Sequence, residues 1–317
     1  MDIRKKILIG LSGGVDSFVA AFLLKVQKHD LHAVTIITSP EEWENVGENW
    51  LNCFVSDDKL KLIKKFCDQM QIPLSVVRLR EEFRDEIADE WVSERLSAKK
   101  SLICFNCHQF KLNAIFKKMN ELKLEAWATG HYAKVFKNPQ DGLMLINSSS
   151  DIDHDQSGLL LPLGQDKMGK LILPLSELQK KEVLKLAENF SLNFLTPKVA
   201  FNHCLTTDPL IVKLLESKIP EALRPTGDII EVEKEVHLGG HRGPHAYEIG
   251  SELKDNTRNN ATIKEALFVK DYKQKEKILE VASINAMKSK GFVLDRCFFS
   301  ADIDFSKPQK AFLFNVD

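Results

Sequence analysis

Residues 7–17, ILIGLSGGVDS, decide how this chain is read. ILIGL is a short continuous apolar run, as expected of a strand buried on both faces, and SFVAAFLLKVQ at 17–27 is apolar nearly all round over the length of a helix. Between them Gly13 and Gly14 permit a turn that brings backbone amides close to an anion. Ser12 and Ser17 supply hydroxyl donors, and the helix that follows directs its positive end the same way. Ser12, Gly13, Gly14, Val15, Asp16 and Ser17 therefore form a candidate phosphate cradle, with Asp16 placed to hold Mg²⁺ against the phosphates. The loop lacks the Lys-Ser ending of the triphosphatase P-loop, so hydrolysis of a γ-phosphate is not the favoured chemistry. A glycine turn with a plain helix cap is the competing reading, and the strand that precedes the loop disfavours it.

Outward from this loop the pattern alternates. LHAVTII at 31–37 reads as the next strand, reached through the helix that parallel pairing requires. Residues 57–70 place Leu60, Ile63, Phe66, Cys67 and Met70 at helical spacing, so Cys67 reads as a core contact rather than a ligand. A strand at 74–79, a charged segment at 80–100, a helix at about 108–122 and a strand at 124–129 follow, then a hairpin arm at 141–149 and a helix at 177–192. The expectation is an α/β fold with a doubly wound, mostly parallel sheet, whose active edge lies where the loops after residues 11 and 129 meet. From 220 onward short β-branched runs separated by glycine turns predict a small β-rich module, with a hairpin and charged bend at 266–284. The predicted division is a catalytic domain at 1–207, a small middle domain at 208–284 and a C-terminal β segment at 285–317.

Length and composition agree. A chain of 317 residues exceeds what one core usually serves, and 44% apolar with 28% charged residues is ordinary for a globular protein. Lysine plus arginine number 44 against 45 acidic residues, which argues against indiscriminate nucleic-acid binding. A local basic face is expected from Lys99, Lys100, Lys111, Lys117 and Lys118, because residues 99–118 contain no Asp or Glu. The start lacks the apolar region of a signal peptide and no stretch is apolar enough to span a bilayer, so a cytoplasmic location without a membrane partner is expected. Six cysteines in such a chain do not suggest a disulfide framework, but the CxxC pair of Cys104 and Cys107 calls for a chemical explanation.

SGGVDS resembles the loop of N-type ATP pyrophosphatases, and further motifs resemble the tRNA 2-thiouridylase branch of that superfamily. These are CFNC at 104–107, ATGHYA at 128–133, DQS at 155–157, LPLSELQKKEVLKLAENFSL at 173–192 and PTGDIIEVEKEVHLGGHRGPHAYEIG at 225–250. The resemblance covers roughly residues 5–285. It implies an adenine-nucleotide-hydrolase-like fold and ATP as cosubstrate. It also implies a reaction in which a wobble uridine carbonyl of tRNA is adenylated and sulfur replaces the oxygen, giving 2-thiouridine, AMP and pyrophosphate. Cys107 then corresponds to the nucleophile and Cys204 to the second catalytic cysteine, with a sulfur-donor protein or sulfide as a further partner. Gly130 and His131 after the fourth strand, with Asp155 and Gln156, are expected to contact ATP or the target base. The sequence departs from the family at His108, where Asn is expected, at Leu102 and Ile103 in place of Asn-Pro, at Val199 and Ala200 in place of Asp-Ser, and at Ser251 and Glu252 in place of Gln-Arg. The residues after 285 correspond to at most a reduced version of the family's last β-domain.

Several chemistries fit the thiols. One thiolate can carry transferable sulfur while a second attacks to release it. Alternatively Cys104, Cys107 and Cys204 hold a [4Fe-4S] cluster with one open iron. A zinc site and a reversible disulfide between Cys107 and Cys204 also fit, and spacing does not distinguish them. Outside thiolation, the same loop serves an adenylating amidotransferase or small-molecule synthetase, which would not depend on tRNA. The replacements around the cysteines also fit a tRNA-binding protein without turnover.

Overall fold

The computed structural model describes residues 4–39, 55–96, 103–189, 216, 219, 224–253 and 266–288. They fall into two compact units, one holding the described residues up to 83 and from 105 to 189, the other those of 84–104 and from 216 onward.

The first unit is built on strands β1 (Lys6–Gly10), β2 (Asp30–Ile37), β3 (Leu74–Arg78), β4 (Ala126–Ala128) and β7 (Leu171–Ile172). Their order in the sheet is β3-β2-β1-β4-β7, and every pair is parallel. Side chains alternate along a strand, so the apolar run of β1 serves two cores. Ile7 and Ile9 pack with helices α1 (Val15–Val26), α2 (Asp57–Met70) and α7 (Lys180–Asn189), whereas Leu8 packs with Trp127 and the apolar residues of α4 (Ile103–Glu121). A sheet covered on both faces explains why its strands read as continuous apolar segments. The sheet is doubly wound as expected, and its order reverses between β1 and β4, which leaves a crevice at their carboxyl ends.

Local signals account for most boundaries. Ser56 accepts from the Lys59 amide to start α2, and Gln71 in left-handed conformation ends it. Cys67 is buried in that core, which pushes its thiol up to about 12. The arm expected at 141–149 is β6 (Met144–Asn147), paired antiparallel with β5 (Lys134–Lys137). Short helices α5 (Ser157–Leu160) and α6 (Gln165–Gly169) lead into β7, a strand of two residues with no periodicity to announce it. The helix expected from about 108 begins at Ile103 instead. With Leu102 and Ile103 where the family has Asn-Pro, no proline stops the helix from running back through both cysteines.

The second unit contains a four-stranded sheet of β8 (Gly227–Glu231), β9 (Val236–His241), β10 (Leu267–Lys273) and β11 (Ile278–Ser283), in the order β10-β11-β8-β9. Each sequential pair is an antiparallel hairpin, and β11 joins β8 in parallel. A single helical turn (Arg80–Phe83) and a π-helical stretch (Arg84–Ala88) lead to α3 (Asp89–Leu96), which packs with this module. Arg95 of α3 is buried and donates to the His245 carbonyl through Nε at 3.2 Å and Nη2 at 2.8 Å. Burial lowers its pKa, opposed by Glu248 at 3.9 Å. Arg95→Met should cost this unit about 2–4 kcal/mol by leaving buried polar groups without their donor. Protease susceptibility of 84–96 and of the strands within 227–241 and 267–283 should rise together, and a rise in only one would refute their joint packing.

Candidate nucleotide-binding site

The crevice is lined by the loops after β1 and β4. Gly13 has φ +81°, a left-handed conformation that costs glycine nothing, and Gly14 at φ −89°, ψ 153° begins α1 without a side chain to cap it. The first-turn amides of α1 thus lack the side-chain acceptor that most helices supply, an arrangement suited to an anion. Ser17 Oγ donates to the Gly14 carbonyl at 2.8 Å and lies 3.3 Å from the Ser12 amide, which ties the loop to the helix. Against this turn rests Gly130. A Cβ there would stand 2.7 Å from the Asp16 carbonyl carbon and 2.8 Å from the Ser17 nitrogen, so the second loop touches the first backbone to backbone.

Two histidines close one side. His131 Nδ1 lies 2.7 Å from the Thr129 hydroxyl, so its ring has only Nε2 to offer a ligand. The ring of His108 meets it edge to face at 4.7 Å between centroids, and His108 Nε2 is buried without a hydrogen-bond partner among the described residues. Burial pushes His131 down from 6.5 to about 4, with Asp16 opposing. His108 is pushed well down by burial, then by His131 and Lys111. Above pH 6.5 a neutral folded His131 costs nothing. As pH falls toward about 4 the unfolded chain takes up a proton that the folded chain refuses, so stability is lost in that window, by on the order of 1–3 kcal/mol. Thermal melts from pH 7.5 to 5 should therefore fall more steeply for the natural chain than for His131→Gln, and parallel slopes would remove His131 as the titrating group.

Asp16 is enclosed by partners that the sequence did not reveal. Tyr132 Oη donates to its Oδ1 at 2.8 Å, and Lys180 Nζ stands 2.6 Å from both Oδ1 and Oδ2. Tyr132 is pushed upward by burial and then by Asp16, so it stays protonated and donates. Both carboxylate oxygens of Asp16 are thus engaged by side chains of the chain itself, and no group of three His, Cys, Asp or Glu side chains that could hold a metal occurs among the described residues. A lysine at the first position of a helix, against the dipole, was the available signal for Lys180.

Asp155 and Gln156 brace the site from within. Asp155 accepts from the Ser149 amide at 2.7 Å and the Ser157 hydroxyl at 2.6 Å. Gln156 Oε1 accepts from the Tyr132 amide at 3.1 Å, and its own amide donates to the Tyr132 carbonyl at 2.8 Å. They fix the loop that carries Gly130 and His131. Cys104 and Cys107 lie in the first turns of α4, three residues apart on one side, with Cys104 half-buried and Cys107 5% exposed. The contact of the adjacent His108 with His131 brings the start of this helix to the crevice. Cys204 lies outside the described residues, as do Lys99 and Lys100. Of the other lysines of the expected basic face, Lys118 is paired with Glu121 at 3.1 Å and Lys117 is exposed.

A parallel sheet with a phosphate-ready loop at its switch point defines a nucleotide-binding protein of the HUP class, and the residues present fit ATP. Residues 5–208 match the family described as tRNA methyl transferase HUP domain, and the chain belongs to that family. It is a divergent member of the N-type ATP pyrophosphatase superfamily, related to the tRNA 2-thiouridylases. A tRNA-specific 2-thiouridylase MnmA of Carboxydothermus hydrogenoformans is 32% identical over 253 residues, covering 79% of this chain and 68% of that protein. The corresponding protein of Syntrophotalea carbinolica is 32% identical over 250 residues, covering 78% and 67%. Among solved structures, an NH3-dependent NAD synthetase from Campylobacter jejuni is similar with a TM-score of 0.36 and 18% identity, over 68% of this chain and 84% of that one. No helix among the described residues is long and apolar enough to cross a membrane.

Proposed function

We propose that this chain is an ATP-dependent tRNA sulfurtransferase that converts a wobble uridine to 2-thiouridine with release of AMP and pyrophosphate. The observation that carries the reading is the contact between His108 and His131, because it brings a helix with cysteines in its first turns to a phosphate-ready crevice. Kinship with proteins named tRNA-specific 2-thiouridylase supports nucleotidyl or sulfur-transfer chemistry.

In this reading Ser12, Gly13, Gly14, Val15 and Ser17 bind and orient the phosphates, and Gly130 keeps the second loop close enough for the nucleotide to span both. ATP supplies the adenylyl group that turns the uridine oxygen into a leaving group. Neutral His131 and His108 offer a ring nitrogen to the base without adding charge. Cys107 presents the sulfur, and Cys204 is the second thiol of the relay. Each turnover by that relay leaves a disulfide, so a dithiol reductant closes the cycle. The proposed division keeps catalysis in 1–207, with RNA contacts shared by 208–284 and the lysines of α4.

The test is an anaerobic reaction of the full chain with unmodified tRNA, ATP, a persulfide donor and dithiol reductant. AMP formation that depends on tRNA, together with thiouridine in the digested RNA, is the expected result. AMP without thiouridine, or AMP formed without tRNA, would reject it in favour of a synthetase. Stoichiometric iron and acid-labile sulfide lost in Cys104→Ser would replace the relay with a [4Fe-4S] cluster.

A further inference from the structure

A continuous series of contacts joins the phosphate loop to the helix that carries Cys107. Gly130 touches the first turn of α1 backbone to backbone, since a Cβ there would stand 2.7 Å from the Asp16 carbonyl carbon. The next residue, His131, is pinned at the end of β4, with Nδ1 2.7 Å from the Thr129 hydroxyl. Its ring meets that of His108 edge to face, at 4.7 Å and 82°. His108 directly follows Cys107 on α4. Beyond it the helix is anchored separately, because the Gln109 side chain donates to the Leu159 carbonyl and Leu112 and Ile115 are buried against the sheet. His108 Nε2 is buried without a hydrogen-bond partner among the described residues. A buried polar atom left unpaired costs stability, so packing alone does not account for a histidine here. What its ring supplies is an oriented aromatic contact between the loop that would face phosphate and the turn that holds a thiol.

We propose that His108 is a positioning residue that makes the reactivity of Cys107 depend on whether the nucleotide crevice is occupied. The proposal rests on the reading that the crevice binds ATP, and adds an order of events to sulfur transfer. A ligand that spans both loops favours the arrangement in which Gly130 rests on α1. Because His131 is pinned at Thr129, the same arrangement holds its ring against His108 and keeps the Cys107 turn closed. Cys107 is buried, so a reagent reaches its sulfur only when that turn opens locally. Bound ATP makes such opening rarer. Sulfur is therefore loaded on Cys107 before the nucleotide binds. The bound nucleotide then shields the persulfide from a dithiol, which would otherwise remove the outer sulfur as sulfide and itself become a disulfide.

The experiment is alkylation of the full, reduced chain by iodoacetamide, without tRNA, with the rate at Cys107 read by peptide mass spectrometry. It is run without ATP and with ATP at a concentration that calorimetry shows to saturate each variant. In the natural chain ATP should slow alkylation of Cys107 by about tenfold. In His108→Ala the ratio of the two rates should fall to near one. His108→Phe keeps a ring edge for His131 and drops the unpaired nitrogen, so it should restore the ratio, which a general loosening of the fold would not do. Equal protection in all three chains would mean that the nucleotide covers Cys107 directly, and would overturn the proposal. So would a natural chain whose Cys107 reacts at one rate with and without ATP, and so would loss of ATP binding by His108→Ala, which would make His108 part of the nucleotide site itself. A natural chain that binds no ATP would overturn the proposal together with the reading beneath it. Protection that depends on His108, with no thiouridine formed on tRNA, would reject sulfur transfer and leave the coupling standing. Thiouridine formed by a chain whose Cys107 ignores ATP would do the reverse.

Discussion

Cys107→Ser is expected to lower thiouridine formation by on the order of a thousandfold or more while ATP affinity stays within about twofold. Serine has the shape of cysteine but its oxygen cannot carry a transferable sulfur atom. The side chain is 5% exposed, so the hydroxyl is also desolvated at a cost of about 1–3 kcal/mol unless it finds an acceptor on α4. Cys107→Ala avoids that cost and separates chemistry from folding, since both variants should be inactive and only serine should lower the melting temperature. Single-turnover thiolation with the persulfide donor, beside calorimetric ATP binding, measures both quantities. Retained thiolation in both variants would move the sulfur to Cys104, one turn earlier on the same helix. The relay also requires Cys204→Ser to block release, so full activity of both serine variants would end that mechanism.

The second large effect is expected at Gly130. A methyl group there would lie 2.7 Å from the Asp16 carbonyl carbon and 2.8 Å from both the Asp16 oxygen and the Ser17 nitrogen. All three are backbone atoms in the first turn of α1, so no side-chain rotation relieves the clash. Gly130→Ala must separate the two loops, at about 1–3 kcal/mol of stability, and displace the amides that would face phosphate. ATP affinity should fall by about a hundredfold, equivalent to about 2.7 kcal/mol. Undiminished ATP binding in a folded Gly130→Ala chain would exclude the loop after β4 from the nucleotide site.

These two positions differ in how far the sequence exposed them. Gly130 stood out only as a neighbour of His131, and its function as the contact between loops depends on β1 and β4 being paired, with Ile7 opposite Ala126 and Ile9 opposite Ala128. Cys107 was singled out by its spacing from Cys104, yet the helix that carries both was expected to begin after them. The absence of proline at 102 and 103 was visible in the chain, but only packing of Leu112, Ile115, Phe116 and Met119 against the sheet makes the full helix worthwhile.

What the sequence determined by itself is the part encoded over a few neighbouring residues. The apolar run of β1, the glycines after it and the apolar helix α1 give the phosphate loop, because turn sterics and burial periodicity are local properties. The helical spacing from Leu60 to Met70 gives α2 within its observed bounds, and the charged bend between two β-branched runs gives the β10–β11 hairpin. What only the tertiary structure decided is the pairing of side chains far apart in the chain. Lys180 reaches Asp16 across 164 positions, and Tyr132 reaches it across 116. Asp155 and Gln156 turn inward as braces, and residues 84–96 pack with the β module instead of the sheet they follow. Each depends on strand order and on which face of the sheet a helix covers. These are settled by the burial of two separate cores at once, and no short stretch of sequence contains that information.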